Sequence, residues 1–312
     1  MSSVLSIALP VFAVIAAGLL AGRLKVADAS DSAALNRFVF RFAMPAALFG
    51  LMSGANGLKA ADGLLALSYG APAILVIFAA YIVGRRIFSL TRPEAGAHAF
   101  ASTVGNAVFL GLPIALAVEG WARPFVVLML VEGILVIGVG AALMAAKESE
   151  AKASLLTAVL RFFWRPLKNP LVAAALAGFA LASIGASLPG PVRAFFDILG
   201  RAAGPAALFS LGLFLATHPL PPMKAMAPKV ATVALFKMAL LPALAFALAH
   251  GLAIADPHYV AALALFTVTP VAVGAYVMSS QYGHYVAETV AAIAVSTALS
   301  VFAISAVLVL FT

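Results

Sequence analysis

The sequence predicts an all-α polytopic membrane protein: ten transmembrane helices arranged as two inverted five-helix repeats, with broken helices at positions four and nine. Three observations predict it. Hydrophobic residues make up 64% of the 312 positions and charged residues 10%, with a mean hydropathy of +1.13, a balance outside that of soluble domains. The apolar residues fall into ten runs, each near the ~20 residues a bilayer requires. Finally, proline-containing motifs recur at one constant offset along the chain.

The runs lie at about 4–22, 33–53, 63–83, 95–118, 122–146, 170–187, 192–216, 227–250, 257–280 and 286–311. Val4–Gly22 has no basic residue before it and no small-residue cleavage site in a polar tail, so it reads as a retained helix. Loops are short except Lys147–Asn169. That connector carries Lys147, Lys152, Arg161, Arg165 and Lys168, with Leu155, Leu156, Val159, Leu160, Phe163 and Trp164 at helical spacing. It reads either as an amphipathic helix on the membrane surface or as an ordinary linker. The chain thus divides into a first repeat at 1–146, a connector at 147–169 and a second repeat at 170–312.

Charge sets the orientation. Loops after spans one, three, five and seven hold Arg23, Lys25, Arg85, Arg86, Arg92, the five connector cations, Lys224 and Lys229. The other side holds little beyond Lys59, Arg123 and Arg193. The first group is therefore expected in the cytoplasm and both termini outside. The net charge of +8 is accounted for by topology, and no nucleic-acid partner is expected. The absence of cysteine excludes disulfides, thiolate metal sites and cysteine nucleophiles; no cofactor or metal is expected.

The repeat is visible in two motifs. Arg41-Phe-Ala-Met-Pro45-Ala-Ala-Leu-Phe49 answers Arg201-Ala-Ala-Gly-Pro205-Ala-Ala-Leu-Phe209, an offset of 205 − 45 = 160. Pro10-Val-Phe-Ala13 through Gly18 answers Pro170-Leu-Val-Ala173 through Gly178 at the same offset. Five spans per half is odd, so the second half enters from the opposite face. The recurrence of Arg41 as Arg201 points to a structural role common to both halves.

Within span four, Gly105-Asn106-Ala-Val-Phe109-Leu-Gly111-Leu-Pro113 carries helix-breaking residues and an amide. Pro113 lacks an N–H and leaves the carbonyl of Phe109 without its helical partner. Inverted symmetry then demands a break in span nine, and Phe266 through Tyr276 supplies Pro270 and Gly274. Paired discontinuous helices are the sequence pointer to a transport site. A helix that restarts presents free N–H groups and the positive end of its dipole, which suits a carboxylate. Asn106 adds a donor. Thr267 and Thr269 offer hydroxyls, although such threonines commonly bond their own backbone. Phe109, Phe49 and Tyr276 offer an apolar wall. The expected substrate-binding set is Asn106, Phe109, Gly111, Pro113, Thr269, Pro270, Gly274, Tyr276 and Phe49.

Glu132 and Lys237 lie about ten residues inside spans five and eight, where a central charge costs about 2.5–3.5 kcal/mol on insertion scales. Both are candidates for coupling: Glu132 as a proton carrier, Lys237 as a fixed charge. An inside-negative potential drives an anion outward by about 2.3 kcal/mol per charge per 100 mV. Export of a monocarboxylate thus needs no partner ion, whereas import of a dicarboxylate needs a proton or sodium. No cage of convergent oxygens for sodium stands out, which favours uniport or proton coupling.

Enzyme classes fit poorly. His98, His218, His250, His258 and His284 are never spaced as HExxH. Ser279-Ser280 and Ser102-Thr103 lack an evident histidine base, and there is no acidic cluster for magnesium and diphosphate. An anion channel of the same inverted-repeat architecture is the alternative reading.

The motifs resemble one family. Asn106-Ala-Val-Phe-Leu-Gly111-Leu-Pro113 is similar to the fourth-helix signature of the auxin efflux carriers. Leu35-Asn36-Arg37-Phe38-Val39 through Pro45 is similar to their second helix, and Pro270 through Gln281-Tyr282-Gly283 to their ninth. The resemblance covers nearly the whole chain. It implies a fold like that of the bile-acid sodium symporters. Helices one, two, six and seven would form a scaffold that often dimerises, and helices three to five and eight to ten a moving core. Helices four and nine would cross at their breaks, with Asn106, Gly111, Pro113 and Pro270 at the matching positions. An elevator-like motion would carry a small carboxylate, malonate-like, malate-like or auxin-like. The apolar Ala46-Ala47-Leu48-Phe49 stands where plant auxin exporters carry polar groups, which argues against auxin itself.

Overall fold

The computed structural model describes residues 2–54, 59–144, 170–218 and 222–312; the connector 147–169, with its expected amphipathic helix, lies outside them. Among the described residues all regular structure is helical, apart from one isolated antiparallel bridge between Gly105 and Val271. We number the helices α1 (Ser2–Arg23), α2 (29–53), α3 (Ala60–Arg86), α4 (Arg92–Ala101), α5 (Ala107–Ala117), α6 (Ala122–Met144), α7 (Pro170–Ser183), α8 (Gly190–Thr217), α9 (Met223–Gly251), α10 (Pro257–Val268), α11 (Val273–Tyr282) and α12 (Val286–Phe311). Five of them, α3, α6, α8, α9 and α12, are long and apolar enough to cross a membrane alone. The four of 10–12 residues, α4, α5, α10 and α11, would reach only about 15–18 Å each at 1.5 Å per residue. They come in two consecutive pairs.

Helix starts follow local chemistry. The Asp28 carboxylate accepts the Ser30 and Asp31 N–H groups while Asp31 accepts the Asp28 N–H (2.9 Å), a reciprocal cap on α2. At the start of α4 the Glu94 carboxylate accepts both the N–H (2.8 Å) and the hydroxyl (2.7 Å) of Thr91. Four helices contain a π-type turn: Val39–Ala43 in α2, Ala107–Gly111 opening α5, Glu132–Val136 in α6 and Phe236–Leu240 in α9. Three of these end two residues before a proline, at Pro45, Pro113 and Pro242. Each such proline removes one N–H from the helical ladder, and an i→i+5 turn lets the chain pass it without breaking. This corrects the expectation that Pro113 breaks span four. The break lies at 102–106, before Pro113, and the proline sits inside the resumed helix.

Two helix pairs pack at backbone contact. α1 runs along α8, where a Cβ on Gly18 would stand 2.1 Å from the Phe209 carbonyl oxygen. α7 runs along the second half of α2, where a Cβ on Gly178 would stand 2.8 Å from the Phe49 carbonyl oxygen. Only glycine permits either approach. The helices α3–α6 and α9–α12 pack together and are tied by polar clusters at two ends. In one, Arg123 bridges Asp62 (2.7 Å) while the Tyr259 hydroxyl donates to Asp62 (2.7 Å), joining α3, α6 and α10. In the other, Lys229 bridges Glu288 (3.0 Å) and His98 Nδ1 meets the Tyr285 hydroxyl (2.9 Å), joining α9, α12 and α4.

Candidate functional site

The two short-helix pairs are each joined by a non-helical link, 102–106 between α4 and α5 and 269–272 between α10 and α11. An interrupted backbone buried in an apolar body must find partners, and each link finds them in the other. The Asn106 N–H donates to the Pro270 carbonyl (2.7 Å) and the Ala272 N–H to the Val104 carbonyl (3.3 Å). The bridged residues, Gly105 and Val271, are anchored in turn by side chains of the following long helices. Gly105 N–H donates to Glu132 Oε2 (3.1 Å) and Val271 N–H to Ser296 Oγ (3.0 Å). A Cβ on Gly105 would stand 2.4 Å from Thr269 Oγ1, so the links can lie this close only with glycine there.

Beside the paired links lies a cavity of about 680 Å³. Asn106, Phe109 and Val108 of the first link and helix, and Ala272, Val273, Gly274 and Tyr276 of the second, line one side. α2, α7 and the end of α8 line the other. Phe40 meets Phe109 edge-on at 5.2 Å, and Tyr276 meets Phe214 and His218 at 5.2 and 4.8 Å. These pairs hold the two sides together around a largely apolar space.

Asn106 caps α5 with its Oδ1, which accepts the Phe109 N–H (3.2 Å). It is 1% exposed, and its Nδ2 has no hydrogen-bond partner among the described residues. A buried amide donor left idle costs about 1–3 kcal/mol, so the side chain is poised to donate. α11 begins without any side-chain cap. Its first N–H groups, at Val273 and Gly274, belong to residues that line the cavity. Asn106 and the first residues of α5 and α11 therefore line the same space, and helix starts beside an amide are the groups from which anion sites are built.

Glu132 and Lys237 flank the links. Glu132 also accepts from the Tyr69 hydroxyl (2.6 Å) and lines the cavity. Lys237 Nζ donates to the Thr267 carbonyl (2.7 Å) near the C-terminal end of α10, where the helix dipole favours a cation. Both are almost fully buried. Each is hydrogen-bonded to a broken span, one at a link N–H and one at a carbonyl.

The nine expected contact residues separate. Asn106, Phe109, Gly274 and Tyr276 line the cavity; Gly111, Pro113, Thr269, Pro270 and Phe49 are not among its lining residues. Gly111 lies under Phe125 and Thr269, and Pro113 lies against Gly204. Thr269 Oγ1 donates to the Phe266 carbonyl (2.7 Å), occupying the acceptor that Pro270 leaves free. Phe49 stacks on Phe196 at 4.6 Å, away from the links. Sequence reasoning missed the contribution of α2 and α8: Asn36, Arg37, Phe40, Arg41 and His218 all line the cavity. The signal available for them was a pair of arginines one turn apart inside an apolar span.

Comparison with known proteins places these features in context. Residues 3–308 match a family described as membrane transport protein. A protein of Rhizobium meliloti (strain 1021) named putative malonate transporter is 31% identical over 316 residues, covering 99% of this chain and 96% of its own length. An Escherichia coli (strain K12) protein named uncharacterized transporter YfdV is 23% identical over 295 residues, covering 92% of this chain and 91% of its own.

Proposed function

The chain belongs to this membrane transport protein family, that of the auxin efflux carriers, and from that premise we propose that it carries small organic anions, mono- or dicarboxylates such as malonate, by an elevator-type alternating-access movement. The observation that carries the reading is that Asn106, whose buried Nδ2 is idle, lines one cavity with the uncapped start of α11. A carboxylate there receives a side-chain N–H and helix-terminal N–H groups without needing a fixed cation. Phe109 and Tyr276 face its apolar body.

The architecture proposed is ten spans in two inverted five-helix repeats, 1–146 and 170–312, with broken helices four (α4–α5) and nine (α10–α11). Three pairs of contacts support it. Gly18 on Phe209 and Gly178 on Phe49 are one contact at the offset of 160. Gly105 on Glu132 and Val271 on Ser296 are one anchor made twice. The bridges Asp62–Arg123 and Lys229–Glu288 join corresponding spans with their signs exchanged. Spans one, two, six and seven would form the scaffold, through which a second copy would dimerise. Spans three to five and eight to ten would be the moving core, held rigid by the two polar clusters. The cavity lies between the groups, which is where relative sliding would open and close it. With the basic loops cytoplasmic, both termini lie outside a bacterial inner membrane. The cavity then runs towards the cytoplasmic ends of α2 and α8, and the conformation is inward-open.

Glu132 is the proposed proton carrier and Lys237 a fixed charge that neutralises the negative end of α10 without a bound cation. Replacing Glu132 with Gln is expected to leave transport independent of pH; an unchanged pH profile would remove that role.

The function is tested by counterflow in proteoliposomes with a panel of small carboxylates. Saturable exchange is expected, and flux linear in concentration would favour a channel. Asn106→Ala removes a hydrogen bond to a charged group, worth about 1.5–3 kcal/mol, so affinity is expected to fall by roughly ten- to a hundredfold. Asn106→Asp keeps the cap on Phe109 while losing the donor, and should fail equally in a folded protein. Wild-type affinity in both would remove Asn106 from the site.

A further inference from the structure

Among the described residues, the charged ones lining the cavity are Glu132, which is already engaged by Tyr69 and Gly105, and two arginines, Arg37 and Arg41. The arginines lie one turn apart on α2. Neither has a hydrogen-bond or ion-pair partner among the described residues, although Arg41 lies twelve residues inside a helix that begins at Ala29. A charge at that depth is retained where it faces water or a ligand. The neighbouring Phe40 touches Phe109, three residues beyond Asn106, and Arg41 and Asn106 line the same cavity.

Resting on the anion reading above, we propose that Arg41, assisted by Arg37, binds the second carboxylate of a dicarboxylate whose first carboxylate is held at Asn106. Guanidinium presents a planar fork of donors that matches a carboxylate. A core-borne site for one carboxylate and a scaffold-borne site for the other make the two walls cooperate on a dianion and not on a monoanion. The recurrence of Arg41 as Arg201 gains a meaning beyond shared structure. Arg201 is likewise exposed and lies eleven residues into α8, three residues before Gly204, which packs against Pro113, one turn beyond Phe109 on α5. In the inverted arrangement Arg201 stands where an outward-open cavity would place its own second contact.

The test compares malonate with its monoamide, malonamate, in counterflow with wild-type protein, Arg41→Gln and Arg41→Lys, with size-exclusion profiles to establish folding. Malonate affinity is expected to fall at least tenfold in Arg41→Gln, with malonamate affinity unchanged and Arg41→Lys in between. Equal losses for both acids, or no loss for either, would overturn the subsite while leaving the Asn106 site standing. A wild-type protein that exchanges neither acid would overturn the anion reading and this inference together. Sidedness adds a second arm. Arg41→Gln is expected to weaken malonate from the cytoplasmic face and Arg201→Gln from the opposite face, and the reverse pattern would contradict the alternation.

Discussion

The two links do the same mechanical job with different chemistry. Both break a span, both pair through backbone with the other, and both hand one N–H to the next long helix. The first link, however, has glycine at the bridge, asparagine at the restart and a carboxylate as its anchor. The second has valine at the bridge, alanine at the restart and a serine hydroxyl as its anchor. Serine shows that a neutral group is sufficient to hold a link. The ionisable group and the idle amide on the first link are therefore surplus to structure, and the surplus is where function is to be sought.

Substitutions at equivalent positions can break or sharpen that contrast. The largest effect is expected from Gly105→Val, whose Cβ would strike Thr269 Oγ1 at 2.4 Å. Transport should be abolished, whereas Val271→Gly, which only removes a side chain from the other side of the bridge, should cost several-fold at most. Flux assays on the two variants check this, and equal effects would dissolve the asymmetry. Next, Glu132→Gln is expected to erase the pH dependence of uptake, while Ser296→Ala should lower the rate without moving the pH profile. Smaller again is Ala272→Asn. It would supply the second restart with a side-chain cap, and by occupying N–H groups of α11 it should weaken substrate binding a few-fold without loss of thermal stability.

The smallest effects concern the two clusters. Asp62 is 3% exposed and held by both Arg123 and Tyr259, whereas the Lys229–Glu288 pair is 27% and 17% exposed. Asp62→Ala removes the buried acceptor of both Arg123 and Tyr259 and should lower the melting temperature clearly, measured by dye-based unfolding in detergent. Lys229→Ala should fall within the roughly 0–1 kcal/mol typical of exposed pairs.

Much of this was legible in the chain. The two breaks were marked by Gly105, Asn106, Pro270 and Gly274, because glycine, proline and an amide inside apolar runs have few other uses. The offset of 160 was legible because Pro10, Pro45, Pro170 and Pro205 stand out within alanine-rich runs. The part played by Pro113 was not legible. Pro113 was read, with Gly105 and Gly111, as a cause of the break, yet a π turn accommodates it, as at Pro45 and Pro242, and local propensity cannot tell a π turn from a break. The walls contributed by α2 and α8 were equally hidden, since Phe40 against Phe109 and Tyr276 against His218 are tertiary pairings with no local trace. Phe49 was assigned to the site for its type alone, and its partner proved to be Phe196.

The central claim is that the paired links, through Asn106 Nδ2 and the N–H groups opening α11, hold a carboxylate. An electron cryomicroscopy structure of the protein with malonate bound tests it most directly. The account predicts a carboxylate within hydrogen-bond distance of Asn106 Nδ2 and of the Val273 or Gly274 N–H. Malonate bound elsewhere in the cavity with Nδ2 still idle, or links that no longer meet at Gly105 and Val271, would contradict it.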